Sequence, residues 1–368
     1  MTEHKKLKIA IIGAGVGIGH ARGIAELPHL YDIAVICDIN TERAASVAKE
    51  FPGARVEADM QAVLDDPDID IVSMCLPPHM HYQAIIDGLA AGKHVMGEKP
   101  LVTSLADVDR VEDALAKAST RLFPVFQYRF GPGYRKLMHL IESGLLGKAY
   151  TATLETHWRR EAAYYATPWR GTWAGECGGV IVSHAIHIHD LMAHALGGVK
   201  RVAAFLQTRC NPIETEDCAA VSLETGSGAL VTSSMTLGAA EDMSRMRFCF
   251  ENATIQSDLE PYTISQGNWT FVAKTPELQR EIDAACAAVD DGYSRYAGLY
   301  EAVHRALHGE DVPLLGDIAA ARHAMELITA IYDSQRNERI VSLPLDGAHS
   351  LYRGWVPETA SPARAASH

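Results

Sequence analysis

The sequence predicts an α/β protein in two dissimilar parts. A doubly wound parallel sheet is expected over residues 1–127, and an α+β region with an open antiparallel sheet over 128–356. Three observations predict this. Short apolar runs alternate with helix-period segments through the first third, the pattern of βαβ units. After Gln127 the runs become closely spaced and alternate in polarity, separated by Gly, Asn and Asp. The chain has 368 residues, long enough for two or three domains.

Taken in order, Leu7–Ile12 reads as a buried strand, with others at Ile33–Cys37 and Asp70–Cys75 and shorter ones at Val95–Gly97 and Phe123–Gln127. Helical stretches fall between them at Thr41–Glu50, His79–Ala91 and Leu105–Ala118. Strands covered on both faces should be apolar throughout, as Ile-Ala-Ile-Ile and Ile-Val-Ser-Met-Cys-Leu are. Beyond Gln127, Tyr134–Ser143 is a helix stopped by Gly144. Thr151–His157 then alternates, with Ala152, Leu154 and Thr156 on one face and Glu155 and His157 on the other. Strand-like runs follow at Arg201–Thr208, Cys218–Glu224, Ala229–Leu237 and Arg245–Glu251. A long helix, Asp317–Tyr332, sets Ile318, Met325, Ile328 and Tyr332 on one stripe. Pro357–His368 is rich in Pro, Ala and Ser and is expected to be a flexible tail.

Composition narrows the partners. Apolar residues make up 48% and charged residues 21%, so the chain is globular rather than disordered. With 33 basic and 46 acidic side chains the formal charge is −13, which argues against nucleic acid or an anionic membrane as main partner. No apolar run reaches the roughly 18 residues a membrane span needs. Seven cysteines without paired spacing suggest free thiols in a reducing cytoplasm. Lys5, Lys6 and Lys8 before Ile9–Ile18 imitate a secretion signal. Four glycines in Gly13–Gly19 make a poor signal core, and a cytoplasmic location is expected. An open sheet face must be hidden, so a homodimer or homotetramer through the C-terminal sheet is expected.

The first strand runs into Gly13-Ala14-Gly15-Val16-Gly17-Ile18-Gly19. Glycines let the backbone turn sharply and approach a pyrophosphate, whose charge meets the N-terminus of a following helix. Asp38 ends the second strand, where a carboxylate accepts bonds from ribose hydroxyls and repels a 2′-phosphate. NAD is therefore expected over NADP, with Arg43 the nearby cation that would suit the latter. Ile18 stands where the third glycine of GxGxxG would be, so Gly17 or Gly19 must serve the packing role. The alternative is a tight β–α turn with no ligand.

Three further segments carry a resemblance: Pro77-Pro78-His79-Met80-His81, Gly92-Lys93-His94-Val95-Met96-Gly97-Glu98-Lys99-Pro100, and Gly178-Gly179 followed by His187 and Asp190-Leu191. With the glycine loop, they resemble the glucose–fructose oxidoreductase/inositol dehydrogenase family, Gfo/Idh/MocA, over nearly the whole chain. The resemblance implies an N-terminal Rossmann domain, a C-terminal domain on a large, mostly antiparallel sheet, and NAD(P)-dependent redox chemistry on sugars, inositols or related polyols. Lys99 then matches the lysine that reaches the substrate hydroxyl and the nicotinamide. His187 matches the general base, and Asp190 a substrate-holding aspartate. Many dehydrogenases of the family have an aspartate four residues before that histidine. Here Ser183 stands there, so any partner that polarises His187 comes from elsewhere. The expected cofactor contacts are Gly13, Gly15, Val16, Gly17, Ile18, Asp38, Leu76, Pro77, His79, Glu98 and Lys99.

The chemistry is consistent with these residue types. Oxidising a secondary alcohol removes a hydroxyl proton as hydride leaves carbon. Histidine, with an ordinary pKa of about 6.5, suits the proton. A lysine stabilises the developing alkoxide; a solvated loop lysine is the ordinary alternative for Lys99, but the proline beside it and the strand end before it favour the functional reading. His184, His187, His189 and His194 crowd one segment, and a metal site is the competing reading. No cysteine or carboxylate completes an evident ligand set, so no metal is expected. Asp190 reads equally as a helix-surface carboxylate, and His79 equally as a helix cap. Trp158, Trp169 and Trp173 lie with Tyr164, Tyr165, Arg159 and Arg170 in one stretch. Sugar rings suit an aromatic wall with fixed donors, though the same rings could pack a core or an interface. Trp158, Arg159, Tyr165 and Arg170, with Tyr128, Arg129, Ser183, His187, Asp190 and Lys99, form the substrate-facing set. Three functions compete: an NAD-dependent dehydrogenase, an NAD-dependent glycoside hydrolase or lyase that oxidises its substrate transiently, and a non-catalytic nucleotide sensor. The first is preferred, because a sensor has no chemical need for Lys99 and His187.

Overall fold

Apolar runs order the first sheet in the computed structural model, which describes residues 6–357. Lys5 and all of the expected tail after Pro357 lie outside the described residues. One compact unit takes the chain through Val102, Asp107–Gln127 and Tyr293–Ala321; the other takes Thr103–Ala106, Tyr128–Gly292 and the chain from Arg322.

The first unit holds strands β1 (Leu7–Ile12), β2 (Tyr31–Cys37), β3 (Arg55–Glu57), β4 (Ile71–Met74), β5 (His94–Gly97) and β6 (Leu122–Pro124). Helices α1 (Gly17–Ala25), α2 (Thr41–Ala48), α3 (Met60–Leu64), α4 (His81–Ala90) and α5 (Leu105–Leu115) lie between them in sequence. The spatial order is β3-β2-β1-β4-β5-β6, and every pairing is parallel. Ile9, Ala10 and Ile11 are fully buried at its centre, as a strand covered on both faces must be. The order reverses between β1 and β4. The carboxyl ends of these two strands therefore open a crevice, the ligand position of such sheets. β3 and α3 were not anticipated, because a three-residue edge strand with one apolar side chain, Val56, and a five-residue helix carry no readable period. The last strand stops at Pro124, and Gln127–Arg129 forms a 3-10 turn instead.

The second unit begins with α6 (Pro132–Glu142) and β7 (Ala149–Arg159). A π-helical turn, Ile181–Ala185, continues into α7 (Ile186–Leu196), which ends at Gly197 in the left-handed region, φ 76°. Strands β8 (Val199–Gln207), β9 (Cys218–Thr225), β10 (Leu230–Thr236), β11 (Gly238–Phe250), β12 (Ala253–Gln256) and β13 (Thr270–Ala273) follow, then α8 (Pro276–Ala287). Helix α9 (Arg295–Leu307) belongs to the first unit, α10 (Ile318–Asn337) starts there, and β14 (Val341–Ser342) closes the second. The eight strands run β13-β12-β11-β7-β10-β9-β8-β14, antiparallel throughout except for β7 beside β10. On β7 the expected alternation is present: Ala152, Leu154 and Thr156 are buried, while Glu155 and His157 lie on the other face. That open face carries the row Phe205, Ala220, Ser234, Glu155 and Arg245 across five strands.

Candidate active site

In the first unit the loop from β1 to α1 is shaped by close approach. Gly13 has φ +98°, and a Cβ there would collide with the Cys75 carbonyl after β4. A Cβ on Gly17 would meet Ile11, so Gly17 is the glycine that seats α1 on the sheet; Gly19 and Gly23 face Tyr296 of α9. Gly15 differs, because nothing lies within 4 Å of its would-be Cβ. Val16 is exposed at the N-cap of α1, and Ile18 sits in the first turn of that helix. Asp38 borders the loop. Its carboxylate accepts the Ala14 N–H at 2.8 Å, the Asn40 N–H at 2.8 Å and a two-pronged contact from Arg43 at 2.9 and 2.7 Å. Burial alone would raise its pKa, but the Arg43 bond and the two amides outweigh that and hold it below the usual range.

The Glu98-Lys99-Pro100 turn at the end of β5 is anchored from two sides. Glu98 is 5% exposed and lies 2.8 Å from Nε2 of His20, itself fully buried on α1. Burial would push the carboxyl up, yet the His20 bond and charge, with Lys99, hold it down at about 2. His20 is held above its ordinary value: burial opposes this, and its surroundings outweigh burial. Tyr300 and Ser73 contact its other nitrogen at 2.8 and 3.0 Å. On the second side, the ring nitrogens of His81 lie 2.7 Å from the carbonyls of Pro100 and Leu76. They tie the loop after β4 to the loop after β5. Leu76 and Pro77 are half-buried, His79 is exposed, and Lys99 is half-buried after a cis peptide to Pro100. His20 escaped the sequence reading, since no local pattern marks a partner 78 residues away; His81 enters that reading only as part of the Pro77-Pro78-His79-Met80-His81 motif.

In the second unit His187 occupies the first turn of α7, directly after the π-helical turn. Its ring is 7% exposed and stacks on Tyr128, with centroids 4.1 Å apart and planes 11° apart. Arg129 grips Asp190 with two bonds of 2.8 and 2.6 Å, both residues being buried. Asp190 is thus an inward anchor of α7 and not a surface carboxylate. The other histidines point to separate partners: His184 to Tyr164, His189 to Ser233 at 2.9 Å, His194 to Tyr134 at 2.8 Å. None of them joins the one group of converging ligand atoms found among the described residues, Cys210, Asp217 and Cys218.

Ser183, in the π-helical turn, donates to Glu176 at 2.7 Å. Glu176 is buried and also accepts from Arg170 at 3.1 Å and from the Gly171 amide at 2.6 Å. Arg170 stacks over Tyr164 and Trp169. Trp158 is buried, donates to Ser244 at 3.0 Å, and stands edge-on to His184 at 5.1 Å. Arg160 lies 5.0 Å over both Trp158 and Tyr164, whereas Arg159 is exposed and bonds Glu161. Tyr165 packs edge-on against Tyr164, and its hydroxyl is a buried atom with no bonding partner. Sequence reading overlooked Arg160 and Glu176. For Arg160, one residue past β7, strand alternation was the available signal, because it puts Arg160 rather than Arg159 on the Trp158 side.

Residues 7–126 match the family model described as "Oxidoreductase family, NAD-binding Rossmann fold", and residues 134–256 match "GFO/IDH/MocA C-terminal domain". The chain belongs to the Gfo/Idh/MocA family. As a family member it is an oxidoreductase with an NAD-binding Rossmann domain. It is 28% identical to the uncharacterized oxidoreductase YrbE of Bacillus subtilis, over 73% of this chain and 79% of that one. It is also 28% identical to the myo-inositol 2-dehydrogenase of Thermotoga maritima, over 52% and 55%. Among solved structures, the WlbA dehydrogenase of Bordetella pertussis, in complex with NADH and UDP-GlcNAcA, superimposes with a TM-score of 0.81 at 27% identity, covering 94% of this chain and 100% of that one. This Gfo/Idh/MocA chain has the features an NAD site requires. A Cβ at Gly15 would meet nothing, as close approach of a pyrophosphate to the backbone needs, and the Asp38 carboxylate at the end of β2 is held ionised beside Ala14, as a ribose partner needs. No helix of the described residues is long and apolar enough to cross a membrane.

Proposed function

We propose that the chain is an NAD-dependent dehydrogenase acting on a hydroxyl carbon of a sugar, inositol or related polyol, in either direction of hydride transfer. The observation that carries this reading is the immobilised histidine. His187 is stacked flat on Tyr128 and sits on a helix pinned by the Arg129–Asp190 pair. A base whose ring is fixed in this way takes a proton without first losing side-chain freedom. The bound nicotinamide supplies a hydride acceptor. Lys99 orients the substrate hydroxyl and stabilises its negative charge as His187 removes the proton. Gly13, Gly15, Val16, Gly17 and Ile18 receive the pyrophosphate, Asp38 the ribose, and Leu76, Pro77 and His79 line the same crevice. Glu98 acts through the turn, holding Lys99 in place. Trp158, Arg160, Tyr165 and Arg170 supply an apolar wall with polar edges for a sugar ring, and the Ser183 bond to Glu176 steadies the carboxylate that holds Arg170. Support for a carbohydrate-type substrate comes from the inositol dehydrogenase relative and the sugar-nucleotide complex of WlbA.

The open sheet face is proposed to bind a second copy of the chain, as a homodimer or homotetramer. Phe205, 77% exposed on β8 next to the two-residue edge strand β14, supports this as an apolar contact that a second copy would cover. The dehydrogenase reading is tested by following NADH formation across sugars, inositols and sugar acids. A substrate-dependent signal is expected. Glycoside cleavage without net NADH would replace this reading with transient oxidation.

A further inference from the structure

Away from these groups, the second unit brings two thiols together. Cys210 lies in the loop joining β8 to β9, and Cys218 is the first residue of β9. Their Sγ atoms are 3.5 Å apart, and the Thr236 hydroxyl on β10 lies 3.6 and 3.3 Å from them. Cys210 is exposed and Cys218 half-buried, while Cys37, Cys75 and Cys177 are buried. The pairing is built into the loop. Asp217 is fully buried, and its carboxylate accepts the backbone N–H groups of Arg209, Cys210 and Asn211 at 2.7, 2.9 and 2.7 Å. That fixes the turn which returns Cys210 over Cys218. Opposite them, Gly238 leaves room that a Cβ would take from the Cys210 sulfur.

We propose that Cys210 and Cys218 form a reversible intramolecular disulfide. A metal is the competing occupant, because an Asp217 oxygen lies within 4.8 Å of both sulfurs. Those oxygens, however, are already committed to three amides and the Asn211 side chain, which leaves a two-sulfur set. The oxidant is a peroxide. The Cys210 sulfur attacks one peroxide oxygen, the O–O bond breaks, water leaves, and a sulfenic acid remains. The Cys218 sulfur then attacks that sulfur, the S–OH bond breaks, and a second water carries off the thiol proton. Two thiols are oxidised by two electrons and one peroxide is reduced to two waters. Cys210 reacts first because it is exposed, whereas burial pushes the Cys218 thiol up to about 11. The loop is tied to neighbouring segments: Gly171 accepts the Glu214 N–H at 2.8 Å, and Glu214 accepts the Trp173 N–H at 3.0 Å.

The test treats the reduced full-length protein with hydrogen peroxide, alkylates the remaining thiols and maps peptides without reduction. The expected result is loss of two alkylatable thiols of the seven, with a Cys210–Cys218 cross-linked peptide two hydrogens lighter that dithiothreitol restores. Cys210→Ser and Cys218→Ser should each abolish it. Over-oxidised Cys210 beside a Cys218 that still alkylates would overturn the proposal. So would stoichiometric zinc retained through gel filtration and released by alkylation of these two thiols, which would make the pair a metal site. Because this readout ignores turnover, it fails or succeeds independently of the dehydrogenase reading.

Discussion

Glu98 and His20 place opposite charges in a dry setting, and such a pair persists only where geometry compensates the lost hydration. Breaking buried pairs of this kind typically costs about 3–5 kcal/mol, so the turn carrying Lys99 is held by more than its own loop. Gly15 illustrates the opposite case. Its neighbourhood is empty, so adding a methyl group leaves the fold untouched and obstructs only an incoming ligand. Gly15→Ala should therefore leave the thermal midpoint within a degree or two of wild type, on the scale of surface substitutions. It should weaken NAD binding by roughly tenfold or more, the loss of about 1.4 kcal/mol, measured by calorimetric titration. Unchanged affinity would remove Gly15 from the nucleotide site. At this scale the sequence was partly legible. The glycine loop and Asp38 announce themselves because strand, turn and helix follow one another locally. His20 does not, because its partner Glu98 lies 78 residues away and is brought to it by folding; Glu176 has nearby partners, but they sit in an irregular loop whose spacing has no period.

Glu216 shows what a single element depends on. It is fully buried ahead of β9 and accepts the amides of Gly179 and Ile181 at 3.0 and 3.1 Å. Both Oε atoms also accept from the Tyr332 hydroxyl at 3.0 Å. These bonds fix the start of the π-helical turn that leads into α7 and His187. Burial pushes the carboxyl up to about 7 from 4.5, its donors only partly opposing this. Since the folded-state value is the higher one, the associated stability is full below about pH 4.5 and is lost as pH rises through about 7. Glu216→Gln removes this titration. The stability difference, variant minus wild type, should rise by on the order of 3 kcal/mol between pH 4.5 and pH 8 in urea unfolding. A flat difference would contradict the account. Elements with a strong period were readable, as β1 and β7 were. Short edge pieces such as β3 were not, and α9 was hidden because its apolar stripe packs on α1 through Gly19 and Gly23.

For the molecule as a whole, the sequence foretold a parallel sheet followed by an antiparallel one, since apolar-throughout and alternating runs differ by eye. The return of Tyr293–Ala321 to the first unit had no such signal, because clustering distant segments is a property of the fold. The open face of the second sheet carries its own expectation. Phe205→Asp should lower the oligomer measured by light scattering to a smaller species, and an unchanged mass would move association to another surface. The central claim concerns chemistry, and Lys99 is where it is most exposed to test. Wild type and Lys99→Met should be compared side by side for NAD binding and for NADH formation with the best substrate of the panel. Nucleotide binding should persist in Lys99→Met while turnover falls at least a thousandfold, within the range for loss of a charge-stabilising or proton-transferring group. Near-normal turnover in Lys99→Met would contradict the central claim.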